Sequence, residues 1–263
     1  MKIAIMTPSR GRPKELYRFF DSVNTTISKQ NKLYFLIGID SDDPSKNDYY
    51  DIYRSMQKNA KDNIIVTMVE EERRAIGFIW NELARMKGWS TSPDMFIMGN
   101  DDLLYMTNDW DILLQEEIMR SDHPFYCYWF DDGINGEKHC AFPIVTKHWV
   151  GALGYFVPEI FKFFYHDTWV FDIAKKMDCL KYIPEVKNKH LHFSQPNVPT
   201  DNTYAQWRQG TIHQDDTKLF DSKDEDRART ADYLQQRILN WMKLKQSVKN
   251  GTATDSDKIS ESK

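Results

Sequence analysis

Residues 95–102 read MFIMGNDD. Four apolar residues run without alternation into Gly99, Asn100 and two adjacent aspartates, Asp101 and Asp102. An unbroken apolar run of this length is the pattern of a strand covered on both faces, as in a parallel sheet. In an open α/β sheet, ligands bind beyond the carboxyl ends of the strands. A carboxylate pair placed there suits a hard divalent cation, which commonly bridges one or two protein carboxylates to phosphate oxygens.

The sequence on either side repeats the pattern. KIAIMT (2–7) runs into the loop PSRGRP (8–13), and LYFLIGID (33–40) runs into the acidic loop SDDPSKND. NIIVTMV (63–69) reads as a further strand. Between these runs, Leu16, Phe19, Phe20, Val23 and Ile27 fall at helical spacing, residues 48–58 read as a helix, and EERRAIGFIWNELARMKG (71–88) as another, with Gly88 as its stop. Residues 110–120 complete the set of early helices. Strands alternating with helices predict an α/β fold with a mixed, mostly parallel central sheet flanked by helices. Three loops, carrying Thr7–Arg12, Asp40–Asp43 and Asn100–Asp102, are then expected at one sheet edge.

The pattern changes after residue 120. PFYCYWF (124–130) and HCAFPIV (139–145) flank the turn-rich DDGINGEK, predicting a hairpin. Residues 158–164 and 168–177 read as helices, 179–186 as a late strand, 188–222 as polar without clear period, and 227–246 as a C-terminal helix. The polar residues 247–263 read as a disordered tail. One domain is expected over 1–222, in two halves, 1–105 and 106–222, which the family resemblance given below makes a nucleotide-sugar half and an acceptor half.

Composition narrows the function classes. The formal net charge of -4 offers no global basic field for sequence-independent nucleic-acid binding. Three scattered cysteines without a CxxC pair argue against a zinc ribbon or a disulfide framework. No window approaches the roughly 20 apolar residues of a membrane span. The apolar run in MKIAIMTPSRGRP is too short for a secretion signal, so a soluble cytoplasmic protein is expected, and the host cytoplasm if the resemblance given next to phage members holds.

Taken in order, KIAIMTPSRGRP, GIDSDDP, the RxxGxxxNELA spacing and MGNDD resemble the nucleotide-sugar domain of GT-A glycosyltransferases of the broad family-2 kind. GNDD stands where that family carries a DxD motif, with Asn100 at its first position. The resemblance extends to about residue 205, and the compact chain is similar to small bacterial and phage members. It implies transfer of a sugar from a nucleoside-diphosphate donor, a UDP- or GDP-sugar before others, with Mn²⁺ or Mg²⁺ as cofactor. The implied acceptor is a hydroxyl on a glycan or on a modified base of phage DNA. The basic residues Arg227, Arg229, Arg237, Lys243 and Lys245 of the last helix would support the DNA case, a solvated helix face being the commoner explanation of such a run.

Carried over position by position, Thr7, Pro8, Arg10 and Arg12 match the first nucleotide loop, and Asp40 and Asp42 the acidic loop that holds base and ribose. Arg74 and Asn81, seven residues apart on one expected helix, would border the donor, Asn81 having a helix–loop hydrogen bond as its alternative. Asn100 and Asp101 would touch donor sugar or ribose, and Asp102 would bind the metal. Asp167 matches the catalytic base of inverting members, at a helix start where an aspartate also caps; Asp172 is the alternative. His190 and His192, in HxH after a strand, are candidate metal ligands. Asp201 would anchor a closing loop. Trp149 and Trp169 offer stacking faces in the acceptor half, although core burial is the usual fate of tryptophan. A nucleotidyltransferase would use the same sheet and carboxylates, but usually with a glycine-rich first loop. A non-catalytic nucleotide- or sugar-binding module would not need Asp101, Asp102, Asp167 and a downstream histidine together.

Overall fold

The computed structural model describes residues 1–86, 92–192 and 211–250. Its centre is an eight-stranded sheet in the order β3-β2-β1-β4-β7-β6-β8-β5. The first four neighbours are the expected parallel strands: β1 (Lys2–Ser9), β2 (Lys32–Asp40), β3 (Ile64–Glu71) and β4 (Met95–Met98). β1 is in parallel register with β2 from Lys2↔Lys32 to Ser9↔Ile39, and with β4 from Ile3↔Met95. The second half is mixed in direction. β7 (Ile144–Thr146) runs antiparallel between β4 and β6 (Cys127–Asp131), β8 (Leu180–His190) is parallel to β6, and the short β5 (Leu103–Tyr105) closes the edge antiparallel to β8.

Both faces are covered over β1, β2 and β4, which is why these strands are apolar throughout rather than alternating. Ile3 and Ile5 of β1 join Phe19 of α1 (Pro13–Thr26), Met56 of α2 (Lys46–Asn59) and Trp110 of α4 (Trp110–Arg120) in one core. Ala4 and Met6 point the other way, to Trp80 of α3 (Ile76–Arg85), Trp149 of α5 (Lys147–Leu153) and Trp169 of α6 (His166–Lys176). That second core is sealed by Leu234 and Ile238 of the C-terminal helix α8 (Asp224–Lys249), which follows α7 (Ile212–Ser222).

Several boundaries differ from expectation, each for a physical reason. α3 starts at Ile76, not at Glu71, because β3 pairs with β2 through Asp40↔Glu71 and the chain stays extended at Ala75. Arg74 therefore precedes the helix and shares no helical face with Asn81. Residues 158–164 are irregular: the Asp216 carboxylate accepts from the backbone N–H groups of Lys162, Phe163 and Phe164 and replaces helical bonds there. α7 lies in the stretch that shows no period, and α8 runs on to Lys249, into the expected tail. The 124–145 hairpin survives as the single pairing Tyr128↔Ile144. Asp167 is not the N-cap of α6; that position is Tyr165, left-handed at φ 69°. Gly88, Asp201 and the tail from 251 lie outside the described residues.

Candidate functional site

The carboxyl ends of β1, β2 and β4 open onto a cavity of about 620 Å³. The loop after β1 is tied down on both sides. Arg10 donates from Nη1 to Asp40 Oδ2 at 2.9 Å and also pairs with Asp42, while the Gly11 N–H, at a φ of 68° that favours glycine, donates to Asp43 at 2.8 Å. Burial raises the Asp40 carboxyl, with Arg10 opposing it. Arg73, unmarked in the sequence reading, lies 3.9 Å from Asp42, and Arg74 sits 4.2 Å over the Phe78 ring.

Asp101 and Asp102 diverge although they are adjacent. Asp101 is 3% exposed and lines the cavity, its Oδ2 accepting from Ser9 Oγ at 2.7 Å and its Oδ1 from Arg12 Nη1 at 3.0 Å. Burial pushes its carboxyl up to about 6 against the pull of Arg12, and the neighbouring Asp102 adds to the rise. Asp102 does not itself line the cavity. Its Oδ2 lies 3.6 Å from His190 Nε2, and Asp132 Oδ2 lies 3.8 Å from His190 Nδ1. The backbone fixes this line of three: the His190 N–H donates to the Asp132 carbonyl at 3.2 Å and the Leu191 N–H to the Asp102 carbonyl at 2.7 Å. Asp132 also accepts from the N–H groups of Ile134 and Asn135. Burial would pull His190 down, but the two carboxylates outweigh it and raise the imidazole to about 9. The same charge and backbone donors hold Asp132 well below the usual carboxylate range despite its burial.

Among the described residues, no three His, Cys, Asp or Glu side chains converge closely enough to form a complete metal site. The donor set fits a divalent ion nonetheless. One carboxylate and one imidazole, with a second carboxylate behind the imidazole to orient it, match a site whose remaining positions are filled by phosphate oxygens and water. His192 lines the same cavity with its ring centre 5.1 Å from that of His190.

The opposite wall is made of loops and of the first turns of α6 and α7. Asp167 lines the cavity, and its Oδ2 lies 3.0 Å from His139 Nε2. Burial lowers His139, but the bond and charge of Asp167 win and leave it raised above its ordinary 6.5. Phe142, 4.8 Å from His190 between ring centres, continues the wall to Phe163 and Phe164.

Pro8, Arg10, Arg12, Asp40, Arg74 and Asn100 line the cavity with Asp101, Asp167, His190 and His192. Asp42 sits at its rim through Arg10. Thr7 and Asn81 do not line it. Thr7 is fully buried beneath Gly99, where a Cβ would collide with its Oγ1. Asn81 is fully buried too, and its amide is consumed elsewhere. Oδ1 accepts from the N–H groups of Phe156 and Val157, and Nδ2 donates to the Val157 carbonyl and to Glu159. Its helix–loop alternative is the observed arrangement. Asp172 is bound to Arg227, away from the cavity. Trp149 and Trp169 are core residues at 1% and 5% exposure, so neither is a stacking face. The sequence reading missed Ser9, Asp132, His139 and Asp216. Asp132 carried a usable signal, since WFDD (129–132) repeats the logic of MGNDD: an apolar run stopped by paired aspartates.

No protein-family model matches the chain, and no curated protein does. Solved structures do. A mannosyltransferase from Pyrobaculum calidifontis, solved with GDP-Man and Mn²⁺, superposes with a TM-score of 0.54 at 13% identity over 78% of this chain. S. aureus TarS 1-349 in complex with UDP gives 0.50 at 10% identity over 71%, and GalNAc-T7 with UDP, GalNAc and Mn²⁺ gives 0.56 at 11% over 79%. The chain spans 59%, 60% and 47% of those proteins' own lengths. Identities this low establish a shared architecture, and function has to be argued from the site. The chain has the fold of the GT-A glycosyltransferases.

Proposed function

We propose that this protein is a metal-dependent glycosyltransferase that moves a sugar from a nucleoside diphosphate, UDP or GDP, to an acceptor hydroxyl with inversion. The observation that carries the reading is one cavity with two chemically different sides. His190, with Asp102 and Asp132 behind it, lines the cavity on the sheet side together with Asp101, and Asp167, paired with His139, lines it from α6. A binding module needs neither in that relation.

Asp40 and the loop from Pro8 to Arg12 would take the base and ribose, with Arg10 already oriented by its two carboxylate partners. Asp102 and His190 would hold the divalent ion, whose chemistry when bound is Lewis-acid stabilisation of the leaving diphosphate. Asp132, 3.8 Å from Nδ1, would orient the imidazole through its charge. Arg12, paired with Asp101, would offer a fixed dipole to a bound diphosphate rather than a mobile charge. Asp167 would remove the acceptor proton as the acceptor oxygen bonds to the anomeric carbon. The sugar–phosphate bond breaks at the same carbon, and the diphosphate leaves with the electron pair.

The test is nucleoside-diphosphate release from UDP- and GDP-sugars with Mn²⁺, in the wild-type protein and in Asp102→Asn. Release that depends on Mn²⁺ and is lost in the variant supports the reading. Release that is unchanged in the variant sinks the metal assignment.

A further inference from the structure

We infer that Phe142, Phe163, Phe164 and His213 form a subsite for a neutral saccharide acceptor, holding the apolar face of a pyranose ring beside Asp167. The inference deepens the glycosyl-transfer reading and rests on it for the word acceptor.

The four rings line the same cavity as Asp167. Phe163 and Phe164 are half-buried and stand nearly perpendicular, 5.1 Å between centres at 85°, and His213 meets Phe164 edge-on at 4.8 Å. Two perpendicular flat faces make a corner, which fits a ring better than it fits a chain. The wall is held rigid from behind. Asp216, 2% exposed, takes the N–H groups of Lys162, Phe163 and Phe164 at 3.0, 2.9 and 3.0 Å. Tyr165 stacks on Phe220 at 4.9 Å and its hydroxyl meets Thr217 Oγ1 at 2.8 Å. A segment with neither helix nor strand is thus fixed to α7 through its backbone, and an aromatic surface set in advance loses little entropy on binding.

The chemistry around the corner is that of a hydroxylated ring. A pyranose offers a C–H face to an aromatic plane and a rim of hydroxyls. Asp167 and, deeper, the buried His166 line the cavity here. His166 is 2% exposed, hydrogen-bonds no other side chain among the described residues, and is kept uncharged by burial, which pushes it down to about 4. A neutral imidazole can both donate to and accept from a hydroxyl.

Charge argues against nucleic acid at this wall. α7 behind it carries Asp215, Asp216 and Asp221, and α8 opens with Asp224, Glu225 and Asp226. Two of the α8 arginines that could answer a phosphate backbone are engaged. Arg227 is 3% exposed, donating to Asp172 and to the Phe220 carbonyl, and Arg229 is paired with Asp226. A phosphodiester chain would meet carboxylates where it needs cations.

The experiment is saturation-transfer NMR on the full chain with methyl α- and β-pyranosides of glucose, galactose, mannose and N-acetylglucosamine. At least one is expected to take up saturation, strongest on the C–H protons of one ring face. Phe164→Leu, which keeps the apolar bulk and removes the flat face, should weaken it about tenfold. The same variant should keep its Mn²⁺-dependent stabilisation by nucleotide, which reports that the fold and the donor side are intact. Absence of saturation with every pyranoside, or unchanged affinity in Phe164→Leu, overturns the inference. So does a dT oligonucleotide that binds the wild type and loses its affinity in Phe164→Leu, since it would assign the wall to nucleic acid. Pyranoside binding in a protein that no nucleotide stabilises would remove the glycosyl-transfer reading and leave the saccharide site standing, so the two claims fail separately.

Discussion

The two halves of the cavity are built by different means. On the β1–β4 side, candidate groups follow buried parallel strands: Arg10 and Arg12 after β1, Asp40 at the end of β2, and Asp101 after β4. Their places are set by strand register, which side-chain alternation and buried apolar faces fix strongly. On the other side the groups lie on loops and on the first turn of α6, and polar residues from far along the chain hold them. Asp216 holds 162–164 across more than 50 residues, and Asn81 holds 156–157 across 75 and 76. His139 holds Asp167 across 28. Chemistry placed by a strand survives the loss of a neighbouring hydrogen bond, whereas chemistry placed by a loop depends on its anchor.

The largest effect is expected where the two sides are equally vulnerable, at the chemistry itself. Asp102→Asn should lower Mn²⁺-dependent donor turnover by roughly 10²–10³-fold, the scale of removing one charge-stabilising contact at a reacting centre. Asp167→Asn should cost about 10²–10⁴-fold, the range for a general base, while nucleotide binding stays as in the wild type. Turnover measured beside nucleotide-induced stabilisation separates the two. An Asp167→Asn protein that loses nucleotide binding would place Asp167 on the donor side and break the comparison.

How much of this was legible follows the same division. MFIMGNDD, KIAIMT and LYFLIGID identify themselves because a strand buried on both faces has nothing but apolar side chains, and the polar loop after it must then lie at the sheet edge. Arg10, Arg12, Asp40 and Asp101 were found by that logic. Asn81 misled because a polar residue on an apolar helix reads as a site, and only the tertiary structure supplies the Phe156 and Val157 amides that it satisfies. His139 had no signal, since its partner is 28 residues away and between them lie a strand and a helix. Asp216 was hidden in a stretch whose helix is mostly solvent-facing and so lacks period. Asp132 was readable in WFDD, but the turn after it looked sufficient to explain the aspartates.

Smaller effects sharpen the contrast between anchors and chemistry. Asn81→Ala should destabilise the protein by about 3 kcal/mol, because it strands the buried Phe156 and Val157 amides and the Val157 carbonyl. Chemical denaturation checks this, and the affinity for nucleotide should be unchanged. An intact stability with weakened nucleotide binding would return Asn81 to the donor site. The smallest effect is pH-dependent. His139 has a raised pKa in the folded protein, so its contribution is fully present below about pH 6.5 and is lost as pH rises through the folded value. The stability difference between wild type and His139→Gln should therefore be largest in mild acid and shrink toward alkaline pH. For a half-exposed pair it should stay under about 1 kcal/mol. A difference that grows with pH would contradict the pairing with Asp167.

The central claim is that one edge of this sheet binds a nucleoside diphosphate together with a divalent ion held by Asp102 and His190. The most direct test is thermal unfolding with UDP, GDP, CDP and dTDP, each with and without Mn²⁺, in the wild type and in Asp102→Asn. A nucleotide that binds only the folded state at a hundredfold excess over its Kd should add about 2.7 kcal/mol. The account predicts stabilisation by one nucleotide, dependent on Mn²⁺ and absent from Asp102→Asn. No stabilisation by any of the four, or the same Mn²⁺-dependent gain in the variant, would contradict it.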